Sequence, residues 1–234
     1  MSRLEIIELY PSPWSERLRW VLERKGLAYA RRAYQPFAGE DELRRTTGLS
    51  TVPVLLADGE VVGDSDAAVD WLEARHPTPA LLPAEPRARA AVRAWELAAT
   101  EALGPLARLV AIGRYKQLGL QPLADSFATK YGWSPAAEAR AARVIGSFLT
   151  DLACAVTAPD TTLVGDAFTR ADLTVACMLA GVLGHPSDEL FAVDDALRPL
   201  FGLPLREDPA LRALHAWRDA TYRRHRGGRV VPPA

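Results

Sequence analysis

Cysteine is nearly absent from this sequence: 234 residues hold only Cys154 and Cys177, with no Cys-x-x-Cys pair and no histidine at ligand spacing. This excludes a disulfide framework and a thiolate metal site, and because both lie in apolar stretches they read as core thiols. The four histidines, His76, His185, His215 and His225, share no spacing, and two of them precede proline, so no metal centre or histidine-based triad is indicated and no metal is expected. Charge of one sign is missing too. Lysine and arginine total 28 against 29 acidic residues, a net charge of -1 that offers nothing to a polyanion, so nucleic acid is excluded as a partner. The basic run Arg223-Arg224-His225-Arg226 with Arg229 lacks an aromatic stacking series and reads as the cationic end of a helix. Long hydrophobic runs are also lacking: Leu173 to Gly184 is too short to span a bilayer, and no apolar segment follows Met1-Ser2-Arg3. A cytoplasmic protein without membrane attachment is expected.

What is there is a globular composition, 49% hydrophobic and 24% charged, in a chain long enough for two ordinary domains. Residues 3–10 are β-branched and apolar over a strand's length and stop at Pro11-Ser12-Pro13. From Trp14 the period changes: Leu18, Val21 and Leu22 recur at helical spacing, and Lys25-Gly26 supplies a stop. A second strand is expected at 28–34 and a charged helix from Gly39 to Thr47. Val52 to Leu56 and Glu60 to Gly63 flank Asp58-Gly59, a hairpin signal, and Asp64-Ser65-Asp66 then caps a helix carrying Ala67, Ala68, Trp71 and Leu72 on one face. Residues 1–76 therefore spell βαβαββα. The proline-rich segment 77–86 reads as a linker. Residues 87–234 carry helical patterns at about 88–118, 134–157, 170–184 and 209–224, an all-helical domain in which Thr169-Arg-Ala-Asp172 has the form of a capping box. Gly119 to Trp133 and Pro186 to Pro209 are expected to be loops with short helical turns.

Three motifs in order carry a resemblance. Ser12-Pro13-Trp14-Ser15-Glu16-Arg17 is similar to the Cys/Ser-Pro-aromatic-x-x-Arg start of the first helix in omega- and tau-like glutathione transferases. Thr51-Val52-Pro53-Val54-Leu55 resembles that superfamily's cis-proline element, and Asp64-Ser65 its acidic-serine pair. With Gly165-Asp166 and Thr169-x-x-Asp172 following in a helical region, the sequence resembles the glutathione transferase superfamily over essentially its whole length. The resemblance implies a thioredoxin-like N-terminal domain (α/β), an all-α helical-bundle C-terminal domain, glutathione as co-substrate, and a homodimer with a role in detoxification.

Ser12 is the candidate catalytic residue. At a strand-to-helix junction its hydroxyl lies near unpaired N–H groups and the positive end of the helix dipole, where a bound thiol ionises more readily. A free thiol has a pKa of about 8.5, so modest stabilisation raises the reactive thiolate several-fold. Serine acts there as a hydrogen-bond donor, since its own pKa is too high for it to take the proton, and it cannot form the mixed disulfide of cysteine-bearing members. Conjugation of the thiolate to a small, apolar electrophile is implied. Ser15 and Tyr10 are the rival hydroxyls, in that order, and plain helix capping is the alternative role for Ser12. By resemblance, Val52 and Pro53 present backbone groups to the cysteinyl part of glutathione, and Asp64 and Ser65 meet its γ-glutamyl end. Many members place a basic residue or glutamine beside the cis-proline element, where this chain has Ser50-Thr51, which leaves Arg44 or Arg45 for the glycyl carboxylate. That departure motivates the competing reading of a non-catalytic binding or scaffolding protein. The stripe Leu109, Ile112 and Tyr115, near Arg108, is either a wall for the second substrate or bundle core.

Overall fold

The structure, a computed structural model, describes residues 3–233. It divides into two compact units, one running to Leu82 and including the segment from Val230, the other spanning Pro83–Arg229.

The first unit has the expected βαβαββα order: β1 (Leu4–Glu8), α1 (Pro13–Arg24), β2 (Tyr29–Ala33), α2 (Glu40–Thr47), β3 (Val54–Ala57), β4 (Glu60–Gly63) and α3 (Ser65–Arg75). The sheet order is β2-β1-β3-β4, with β1 and β2 parallel and the remaining pairs antiparallel. Parallel pairing demands a crossover, which α1 supplies. Successive strand residues face opposite sides, so Ile6 and Ile7 serve two layers. Ile7 clusters with Val54 and with Leu43 of α2, while α1 and α3 pack together. Leu18, Trp20, Leu22, Val69 and Leu72 are fully buried, each worth about 1.5–3 kcal/mol if an aliphatic side chain. The Asp58-Gly59 turn takes positive φ at both residues (51° and 93°), the geometry a two-residue hairpin requires.

A buried charge cluster braces the β1–α1 junction. Arg19, 1% exposed, bonds Glu16 at 2.7 Å, also pairs with Glu8, and donates to the Tyr10 carbonyl at 3.0 Å. Arg31 of β2 joins through Glu8 at 2.6 Å and reaches the Val231 carbonyl at 3.0 Å, tying the C-terminal segment to this unit.

The second unit is helical, as expected: α4 (Pro86–Leu103), α5 (Pro105–Gln117), α6 (Gln121–Tyr131), α7 (Pro135–Ala155), α8 (Arg170–Met178), α9 (Ala180–Leu183) and α10 (Arg212–His225). The pattern read as one helix over 88–118 is two, because Pro105 lacks the N–H that would continue the ladder and opens a fresh helix after Gly104. The expected loop at 119–133 contains α6, stopped by Gly132 in the left-handed conformation. Residues 186–209 hold only short 3-10 turns before Pro209–Leu211 leads into α10. Thr169 and Asp172 form the capping box, and Asp172 also accepts the Leu163 N–H at 2.7 Å. Burial holds the Asp172 carboxyl above its ordinary pKa, against these hydrogen bonds. Cys177 is a core thiol, but Cys154 is exposed: the buried stripe of α7 runs through Ile145, Leu149 and Leu152, and Cys154 falls on the opposite face. No helix among the described residues is long and apolar enough to cross a membrane.

Candidate functional site

Strand register collects the predicted residues. Ile7 pairs with Val54, and Val54 pairs with Gly63. The chain leaving β1, the chain entering β3 and the chain leaving β4 therefore meet at one end of the sheet. Ser12 lies on the first, Val52 and Pro53 on the second, Asp64 and Ser65 on the third.

Ser12 is the N-cap of α1, with an extended backbone (φ -70°, ψ 129°), and its carbonyl accepts the Glu16 N–H at 3.0 Å. Its hydroxyl makes no capping hydrogen bond, and the side chain is 5% exposed. An N-cap serine ordinarily uses its oxygen on the helix N–H groups. Here that oxygen is not committed to the helix, and the capping role fails as a full account of the residue. Pro13 at the first helical position has no N–H to satisfy. Ser15 is fully buried, and its Oγ has no hydrogen-bond partner among the described residues. Tyr10 is engaged elsewhere: its hydroxyl donates to the Val230 carbonyl at 3.1 Å, and the guanidinium groups of Arg19 and Arg31 lie over its ring.

The Val52-Pro53 peptide is cis. Among the described residues no hydrogen bond is made by the N–H or C=O of Val52, while its side chain packs on the Ile7–Leu43–Val54 cluster. A half-buried backbone N–H and C=O without partners form an edge on which an extended peptide can pair.

Asp64 caps α3, accepting the Ala67 N–H at 2.8 Å, from a conformation (φ 50°, ψ 163°) that non-glycine residues rarely hold. Ser65 is 3% exposed, and its hydroxyl accepts from Arg17 at 3.3 Å. Arg17 also pairs with Asp66. Sequence reading quoted Arg17 as part of a motif but gave it no role; in the structure it ties the first helix to the start of α3, holding Ser65 in place. A signal was present, since Arg17 lies beside Leu18 and one turn before Val21, apolar positions of a buried helix where a charge requires a partner. Arg44 and Arg45 are exposed on α2 and, among the described residues, have no ion-pair partner. Leu109, Ile112 and Tyr115 are buried within the second unit, at 7% exposure or less, and so are bundle core.

The model of the family "Glutathione S-transferase, N-terminal domain" matches residues 11–75, which span all the motifs just placed at the sheet end. Maleylpyruvate isomerase of Ralstonia sp. is 35% identical over 94 residues, covering 39% of this chain and 44% of that protein. The matched part thus spans about half the length of the curated relatives. A glutathione S-transferase of Methylobacterium radiotolerans, solved in complex with glutathione sulfonate, is 28% identical with a TM-score of 0.62, covering 76% of this chain and 78% of its own. Maleylacetoacetate isomerase of Anaeromyxobacter dehalogenans is 26% identical with a TM-score of 0.57, covering 100% of this chain and 96% of its own. The motifs, the sheet topology and these likenesses agree, and residues 11–75 form a glutathione S-transferase N-terminal domain.

Proposed function

We propose that this protein is an enzyme that binds glutathione at the sheet end of its first unit and uses Ser12 to donate a hydrogen bond to the glutathione thiolate. The observation that carries the reading is the Ser12 hydroxyl, placed at the N-terminus of α1 and not used to cap it. Val52 offers its backbone to the cysteinyl part, Asp64 and Ser65 take the γ-glutamyl end, and Arg44 or Arg45 takes the glycyl carboxylate. The thiolate attacks an electrophilic carbon of a small, apolar substrate and stays bonded to it, displacing a leaving group or adding across a double bond. A cytoplasmic homodimer active in detoxification accords with this reading.

The relatives named maleylpyruvate and maleylacetoacetate isomerase favour a second outcome from the same thiolate. Addition to a conjugated cis double bond, rotation about the resulting single bond and expulsion of the thiolate would return glutathione unchanged and leave the trans isomer. Mass spectrometry of reactions with 1-chloro-2,4-dinitrobenzene and with a maleyl-type cis-enedione acid separates the outcomes. Conjugation yields a glutathione adduct, isomerisation yields none. If glutathione neither stabilises the protein at millimolar concentration nor supports either reaction, the enzymatic reading fails and a scaffolding role takes its place.

A further inference from the structure

The second unit contains a cavity of about 640 Å³, lined wholly by its own residues, within the usual size range of small-molecule sites. Its wall carries four guanidinium groups, those of Arg114, Arg198, Arg206 and Arg212, beside the carboxylates of Glu207 and Asp208. The four are not equally compensated. Arg206 pairs with Glu207 at 2.8 Å, and Arg198 pairs with Asp188. Arg114 instead donates its Nε to the Pro199 carbonyl at 2.8 Å, a neutral partner that fixes the guanidinium without cancelling its charge. Arg212, exposed at the start of α10, has no ion pair among the described residues. Of the two lining carboxylates, that of Asp208 is occupied with the Ala210 N–H at 2.9 Å.

The wall is also held in shape before any ligand arrives. Tyr115 bonds the Leu200 carbonyl at 3.2 Å, His215 donates from Nε2 to the Arg206 carbonyl at 3.1 Å, and the Leu203 N–H reaches Val182 at 2.7 Å. Gly202 permits this closeness: a Cβ there would lie 2.9 Å from the Gly184 nitrogen, and its φ of +85° suits glycine alone. Such fixed, forked donors lower the ordering cost of binding and match the planar oxygens of carboxylates and phosphates.

We infer that this cavity is a binding site for a compact dianion, a small dicarboxylate or a phosphate-bearing molecule, separate from the glutathione site of the first unit. Arg114 and Arg212, the two guanidinium groups of the wall without a carboxylate partner among the described residues, match a ligand carrying two negative charges. The full-length protein is titrated calorimetrically with succinate in one arm and inorganic phosphate in the other, at low chloride. Saturable binding of either probe supports the site, and the preferred probe identifies its anion. Arg212→Gln, at an exposed position that leaves the fold intact, is expected to weaken the bound probe about tenfold or more, as is Arg114→Gln, with Arg114→Lys retaining part of the affinity. Ser12→Ala is expected to leave this binding unchanged even if the glutathione reading is wrong. Failure of both probes to bind at 10 mM on the order of a weak site's limit, or binding indifferent to both glutamine substitutions, would overturn the inference.

Discussion

Replacing Ser12 with alanine separates its two conceivable roles, because they predict opposite patterns of loss. Where a serine side chain caps a helix, its removal costs about 1 kcal/mol. Ser12 makes no such bond, so Ser12→Ala is expected to change folding stability by less than about 0.5 kcal/mol, a shift in Tm of roughly 2 °C or less for a chain of this size. A hydrogen bond to a charged sulfur is worth about 1.5–3 kcal/mol. Since one pKa unit corresponds to about 1.36 kcal/mol, its loss raises the pKa of the bound thiol by about 1–2 units. If that returns the thiol to its free pKa of about 8.5, the reactive thiolate at neutral pH falls about eight- to twenty-five-fold. The assay is the ultraviolet absorbance of the thiolate, followed against pH with the protein saturated with glutathione, beside a thermal melt of the same variant without ligand. A variant that loses several degrees of Tm while its bound thiol keeps the wild-type pKa would refute the reasoning and return Ser12 to a capping role. Ser15→Ala distinguishes the rival hydroxyl in the same two measurements.

Three further outcomes are expected. Asp64→Gly relieves a strained backbone worth about 1–3 kcal/mol and gives up a cap that glycine replaces at a cost of a few tenths; the melt is expected to hold or rise while glutathione-induced stabilisation falls, and a lower Tm would contradict it. Glu8→Gln leaves Arg19 facing an uncharged partner in a buried cluster and is expected to destabilise the protein by about 3–5 kcal/mol in urea titrations. Because Arg31 also holds the Val231 carbonyl, limited proteolysis should trim the C-terminal segment faster in this variant. Burial, then the neighbouring Arg218 charge, lowers the pKa of His215, outweighing the Arg206 carbonyl, Asp219 and Glu207, which favour the imidazolium. As pH falls below about 6.5 the unfolded chain therefore takes up this proton first, and stability drops through the window between that value and the lower folded pKa. His215→Gln should remove this part of the acid-side loss, as read from melts between pH 7 and 5.

The sequence by itself determined the order of elements. Alternation in residues 3–10, the change of period after Trp14, and Asp58-Gly59 between apolar runs are local signals, because a strand or a turn is chosen by residues a few positions apart. Where local signals conflicted, reading stopped short: an Ala- and Leu-rich pattern ran across Gly104-Pro105 without marking the break, and the Gln121–Tyr131 helix, short, opened by Pro122 and fully burying only Ala124, did not stand out from loop. The five candidate site residues were legible through their motifs, but that three chain segments meet at one sheet end follows from the pairing of Ile7, Val54 and Gly63. Only the tertiary structure decided that Arg17 reaches Ser65, 48 positions away, that the Tyr10 hydroxyl is spent on Val230, and that Arg114 is fixed by Pro199 at the wall of a cationic cavity. The physical reason is common to all three. Periodicity says which face of an element is buried, whereas the partner that satisfies a buried charge or hydroxyl is set by packing between elements far apart in the chain.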